Sequence, residues 1–161
     1  MKESGAHAVK LEGGIEVGES INKIINAGIP VMGHLGLTPQ SIYKFGSYNV
    51  RGKNKDEANQ LIKDAETLER LGCFATVLEK IPLQLSKKVS TKTQFPLIGI
   101  GAGDSVDGQV LVIHDLIGLT NEFNPRFIRR YLDLNTTIKS AVSQFIDDVK
   151  GKKFPNEEEM Y

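Results

Sequence analysis

The chain has 161 residues, 20 Lys and Arg balanced by 20 Asp and Glu, 40% apolar residues and one cysteine. That length suits one domain of ordinary size, and the composition is that of a globular chain rather than a disordered or collagen-like one. A formal net charge of zero removes the electrostatic argument for a nucleic acid or an anionic membrane as partner. No stretch approaches the roughly 18 consecutive apolar residues of a membrane span, and the first residues lack the apolar core of a signal peptide, so a cytoplasmic location is expected.

Five short apolar runs rich in Val, Ile and Leu read as buried parallel strands: Ala8 to Glu12, Val31 to Leu35, Phe74 to Glu79, Leu97 to Gly101 and Val110 to His114. Helical patterning lies between most of them. Val17, Ile21, Ile24 and Ile25 recur at helical spacing, and Gly28 follows as a stop. Thr38-Pro39 has the form of an N-cap with proline at the first helical position and opens a short helix. Asn54 and Glu57 have capping-box spacing, ahead of a helix whose stripe is Ala58, Leu61, Ala65 and Leu68 and whose end is Gly72. Cys73 has no basic neighbour to activate it and reads as a small buried apolar group. Pro82 through Val89 supplies another short helix. The connection from Ala102 to Gln109 is too short for a full crossover helix. Asn124-Pro125 predicts a helix carrying Phe127, Ile128 and Tyr131, and a last helix presents Ile138, Val142, Phe145 and Val149 before Gly151. The acidic tail from Lys152 to Tyr161 is expected to fray.

Alternating strands and helices imply an α/β fold with a parallel sheet, either doubly wound or closed into a barrel. Four of the five runs carry polar or charged groups near their C-terminal ends, which is how a (β/α)8 TIM-type barrel builds its active site. Such a barrel needs eight strands and commonly about 250 residues. The expectation is therefore a partial barrel over residues 1–151 with a tail over 152–161, its earlier strands lying upstream or supplied by another polypeptide.

The polar strand ends are also where chemistry is expected. Lys10 and Glu12 alternate with Leu11, so both point to one face of a strand. A lysine suits a substrate carboxylate, and a carboxylate suits a divalent cation that keeps its waters; a plain Lys10–Glu12 pair is the rival reading. Gly13-Gly14 after them favours close approach of a ligand. Glu79 ends an apolar strand, and a carboxyl group in apolar surroundings suits proton transfer near neutral pH; a capping or salt-bridged glutamate is the alternative. His34 lies between glycines and reads either as a core histidine or as a group beside a ligand. Gly99 to Gly103 has GxGxG rather than GxGxxG spacing, with no regular helix to follow, and is weak evidence for a phosphate loop.

Several stretches together resemble the ketopantoate hydroxymethyltransferase family: Ala8 to Gly14, Gly33 to Ser41, Val77-Leu78-Glu79 with Pro82, Ile98 to Gly103, and Asp107 to Asp115. The resemblance implies the C-terminal part of an enzyme of pantothenate biosynthesis. Such enzymes transfer a one-carbon unit from 5,10-methylenetetrahydrofolate to 3-methyl-2-oxobutanoate, forming 2-dehydropantoate with bound Mg2+. It further implies Glu79 as general base, Glu12 as magnesium ligand, Lys10 as ligand of the keto-acid and His34 as a histidine close to it. Family members carry two further acidic metal ligands and a substrate-binding serine on earlier strands, so impaired turnover is expected of this chain by itself. Small-molecule substrates, a homo-oligomer at full length and a complementary N-terminal half are the partners implied. Two rivals remain: a non-catalytic or partner-dependent half-barrel, and a related metal-dependent 2-oxo-acid lyase.

Overall fold

The computed structural model describes residues 1, 3–120, 122 and 124–161. Where the sequence pattern suggests a single barrel portion over 1–151, contacts divide the chain into two compact units, Met1–Val110 and Leu111–Tyr161.

The first unit holds one parallel sheet of five strands: β1 (Val9–Glu12), β2 (Val31–Gly36), β3 (Ala75–Glu79), β4 (Leu97–Ile100) and β5 (Gly108–Gln109). Their order in space is their order in sequence, so there is no switch point of the kind that marks a doubly wound sheet. Four helices belong to this unit: α1 (Gly18–Asn26), α2 (Ile42–Phe45), α3 (Lys55–Arg70) and α4 (Leu83–Ser90), with 3-10 turns at Ile15–Val17 and Pro39–Ser41. Register places Leu35 beside Leu78, so these two side chains share a face with Val31 and Leu97. That face joins Ile21 of α1, Leu61, Ala65 and Leu68 of α3, and Leu85 and Val89 of α4 in one buried cluster. Sequential parallel strands with helix stripes gathered on one face are the arrangement of consecutive strands of a (β/α)8 barrel. Lys10, Glu12, His34 and Glu79 occupy the opposite face.

The helices begin and end largely for the reasons the residues suggest. Asn54 Oδ1 accepts the Glu57 amide at 2.8 Å, which caps α3. The reciprocal half of the capping box is not made, because the Glu57 carboxylate pairs with the Arg51 guanidinium instead. After α1, Gly28 takes φ +82, a left-handed conformation open to glycine at little steric cost. Cys73 is buried, and burial pushes its thiol upward from the ordinary range, so it packs as an apolar group.

Two expected elements are corrected. The fifth strand is two residues long and lies at Gly108–Gln109, not Val110 to His114. It is the edge of the sheet, and among the described residues no strand pairs with its far side. With no ladder to join, the β-branched run beyond it turns into α5 (Ile113–Leu116), where the Val112 carbonyl accepts the amides of Asp115 and Leu116, each at 3.0 Å. His114 and Asp115 therefore lie in a helical turn, not at a strand end. Asn124-Pro125 starts a single turn, Ile128 N–H to Pro125 carbonyl at 3.1 Å, and no helix follows. The Asn124 side chain is used elsewhere, accepting from Arg130 Nη1 at 3.2 Å.

The second unit contains α5 and α6 (Leu134–Lys150), the latter capped by Asp133 Oδ1 on the Thr136 amide at 3.1 Å. Hydrogen bonding from the Thr136 side chain, and after it from this amide, holds the Asp133 carboxyl below its usual range. The stripe Ile138, Val142, Phe145 and Val149 lies on α6 as expected and is exposed along its length. The tail is more ordered than fraying implies: Lys153 donates its amide to the Asp148 carbonyl at 2.8 Å, and Phe154 meets Phe145 edge-on with ring centroids 5.3 Å apart.

Thr76, wholly buried in β3, carries a hydroxyl without a hydrogen-bond partner. Leaving a buried polar group unpaired costs about 1–3 kcal/mol, so Thr76→Val is expected to raise stability by about 1 kcal/mol, read as a higher urea midpoint at unchanged slope. A lower midpoint would mean that the hydroxyl has a partner in solution.

Candidate active site

The open face of the sheet is built from alternation and register. Glu12 on β1 lies beside His34 on β2, and Gly36, two residues further along β2, lies beside Glu79 on β3. Because residues paired across parallel strands project to the same side, Lys10, Glu12, His34 and Glu79 are gathered at the C-terminal end of three neighbouring strands.

His34 is the centre of the group, with its side chain 3% exposed. On one side of its ring, Nδ1 lies 3.0 Å from Lys10 Nζ and 3.5 Å from Glu12 Oε1. On the other side, Nε2 lies 3.2 Å from Glu79 Oε2. A lysine ammonium has protons to give and no lone pair, so Nδ1 is the acceptor in that contact. Nε2 faces Glu79 but makes no hydrogen bond to it, which leaves Nε2 a buried polar atom without a hydrogen-bond partner among the described residues. One imidazole thus stands between two carboxylates.

Glu12 is fixed by the next loop. The 3-10 turn opened by Thr38-Pro39 aims the Gln40 amide at Glu12 Oε2, at 3.0 Å. Lys10 lies 3.9 Å from Glu12 Oε1, and its side chain is 44% exposed, so the pair is loose and wet and contributes little to stability. Glu79, 17% exposed at its side chain, is held through its backbone, whose carbonyl accepts the Leu37 amide at 2.8 Å. A cleft of about 170 Å3 opens nearby, between the Gly13-Gly14 turn and α3, with Glu16, Thr38, Gln60 and Asp64 in its wall.

Gly14 and Gly33 are held to glycine by the packing of the protein around them. A Cβ on Gly14 would lie 2.1 Å from Asp64 Cγ, and one on Gly33 would lie 2.6 Å from both Leu68 Cδ1 and Thr76 Oγ1. Close approach is correctly indicated by these residues, but what approaches is the protein itself. In the segment Gly99 to Gly103, the Ala102 carbonyl accepts from Ser86 Oγ at 2.5 Å and the Gly103 carbonyl from Gln109 Nε2 at 2.7 Å. That loop is folded back on its own chain. Asp64 escapes a reading of the sequence because it lies mid-helix; its role, accepting the Ile15 amide at 3.1 Å, joins residues 49 positions apart. Gln40 acts through its backbone, and a backbone donor leaves no mark in the residue type.

As a metal site the donor set fits in kind and falls short in number. A carboxylate oxygen on Glu12 suits a hard cation such as Mg2+, which keeps several waters. Among the described residues no three His, Cys, Asp or Glu side chains are placed to hold a metal together.

The fold and this cluster define a class: an α/β barrel segment with acid–base and oxygen-ligand groups at the C-terminal ends of its strands. The sequence profile of the ketopantoate hydroxymethyltransferase family matches residues 1–157, and the chain belongs to that family. Proteins called 3-methyl-2-oxobutanoate hydroxymethyltransferase in Flavobacterium johnsoniae and Cytophaga hutchinsonii are 65% and 66% identical over all 161 residues, which span 59% of each relative. One from Salinibacter ruber is 56% identical over the whole chain and 61% of its own. The chain thus spans about three-fifths of the length of these curated relatives. No helix among the described residues is long and apolar enough to cross a membrane.

Proposed function

We propose that the chain supplies the base and the keto-acid-binding face of a 3-methyl-2-oxobutanoate hydroxymethyltransferase. In this reading a cytoplasmic enzyme, oligomeric at full length, transfers a hydroxymethyl group from 5,10-methylenetetrahydrofolate to 3-methyl-2-oxobutanoate and forms 2-dehydropantoate. The observation that carries it is the placement of Glu12 and Glu79 on either side of one buried imidazole, close enough to act on one small molecule.

Each side chain has a task that follows from its chemistry. The Glu79 carboxylate takes the proton from C3 of the keto-acid, leaving an enolate whose C3 bonds to the methylene carbon; overall both bonds from that carbon to folate nitrogens break, water supplies the hydroxyl, and tetrahydrofolate leaves. The Lys10 ammonium, half open to solvent, pairs with the substrate carboxylate. The His34 ring stands between the Lys10 and Glu12 side of the site and the Glu79 side and sets the spacing of the two. Glu12 would serve as one ligand of Mg2+, which when bound would supply Lewis acidity toward the 2-oxo acid.

Glu12 alone makes a one-carboxylate metal site, and this supports the second reading, a half-barrel that works only with a complementary piece. Both are tested by following loss of the C3 proton of 3-methyl-2-oxobutanoate in D2O with Mg2+. The chain is assayed alone and co-expressed with the part of the Flavobacterium johnsoniae relative that it does not cover. Exchange in the co-expressed protein supports the transferase reading. Stable complex formation with no exchange overturns it, and a lyase acting on a related 2-oxo acid then becomes the better description.

A further inference from the structure

Glu79 is followed by a residue in an unusual state. Lys80 has φ +50, one of two non-glycine residues among those described with positive φ, a strained conformation that persists only where surrounding contacts enforce it. Those contacts run in three directions. The Lys80 amide donates to the Ile100 carbonyl of β4 at 2.8 Å, its carbonyl accepts the Arg51 amide at 3.0 Å, and its ammonium donates to the Tyr48 carbonyl. Two of the three tie the end of β3 to the segment 46–52 between α2 and α3.

That segment has its own anchor on the far side. The Arg51 guanidinium pairs with Glu57 in the first turn of α3, whose N-cap bond from Asn54 fixes that end of the helix. Gly52 takes φ +70, and a Cβ there would lie 2.3 Å from Leu85 Cδ2, so the segment is pressed against α4 as well. Lys80 is therefore a strut. Its main chain is bent into a left-handed turn, and its side chain reaches 32 residues back to hold the bend closed.

We infer that Lys80 is a positioning residue for Glu79: by pinning segment 46–52 to the end of β3, it sets the carboxylate of its neighbour against His34. This rests on the reading of Glu79 as the base. A base is effective only when its oxygen meets the substrate proton within a few tenths of an ångström, and misplacement by about 1 Å costs on the order of 100-fold in rate. Lys80 itself touches neither Glu79 nor His34 through its side chain, so its effect belongs in the rate and not in substrate binding.

The test uses Lys80→Met, Lys80→Arg and Lys80→Gly in the co-expressed protein at one pH. Two quantities are read: C3 exchange kinetics, and the 15N shifts of the His34 ring, which report where Glu79 lies. Lys80→Met is expected to lower kcat for exchange about 10-fold with KM for the keto-acid within twofold, and to move the His34 signals; Lys80→Arg restores both. Lys80→Gly relieves the backbone strain while removing the strut, so it folds readily and should behave like Lys80→Met. Unchanged kcat and unchanged His34 signals in the Met and Gly variants overturn the inference. So does a rise in KM at constant kcat, which would place Lys80 on the substrate. If the unaltered protein shows no exchange but the His34 signals move in Lys80→Met, the reading of Glu79 as base falls and the strut stands.

Discussion

Replacing Glu79 by Gln is expected to abolish measurable exchange of the C3 proton of 3-methyl-2-oxobutanoate and leave the fold intact. The amide has the shape of the carboxylate but no basic oxygen, and a positioned base contributes roughly 100- to 10,000-fold to such a proton transfer. Nothing in the strand needs the charge: the Glu79 carbonyl, not its side chain, receives the Leu37 amide, and the contact with His34 Nε2 is not an aligned hydrogen bond. The urea midpoint should therefore stay within the equivalent of about 1 kcal/mol, the scatter of ordinary surface changes. The measurement is proton loss by NMR in D2O beside an unfolding curve. Exchange within threefold of the unaltered protein would remove Glu79 as the base; a collapse of stability would make it a structural group.

Gly36→Ala should be the most damaging small substitution near the site. Gly36 has φ +96, and a Cβ there would lie 2.1 Å from the Glu79 carbonyl oxygen and 2.8 Å from Ile81 Cγ2. The first neighbour is backbone and cannot swing away. Left-handed strain of about 1–3 kcal/mol adds to a packing clash of about 1–3 kcal/mol, so a loss of about 2–6 kcal/mol is expected. The Leu37 amide bond to Glu79 lies at the same crossing, so the catalytic end of β3 should move with it. Chemical denaturation measures the first effect and C3 exchange the second. A loss below about 1 kcal/mol would show that β2 and β3 separate more easily than their close approach implies.

Four of the five strands, and the polar groups that three of them carry at their C-terminal ends, were legible in the residues for a common reason. Buried parallel strands need unbroken apolar runs, and each polar group that interrupts one at its C-terminal end must have a purpose. Lys10, Glu12, His34 and Glu79 are such interruptions, and the structure brings the other three within contact of the His34 imidazole. The periods of α1, α3 and α6 were equally plain because each has an apolar stripe at helical spacing. The run from Val110 to His114 misled, since five β-favouring residues make a strand only where a neighbouring strand offers partners, and composition does not show whether one is there. Asn124-Pro125 misled in the same way: an N-cap residue is a promise of a hydrogen bond, and Arg130 took that oxygen first.

Local pattern by itself determined the positions of the first four strands, the helix stripes, the ends set by Asn54 and Gly28, and the presence of polar groups at strand termini, because these follow from alternation, helical period and caps within a few residues. Tertiary structure alone decided which carboxylate faces which imidazole nitrogen, why Gly14 and Gly33 lack side chains, and that Lys80 is bent to hold Tyr48. Those are contacts across 22 to 50 positions of chain, made by the register of neighbouring strands and the seating of α3, and no short-range rule carries information over that distance.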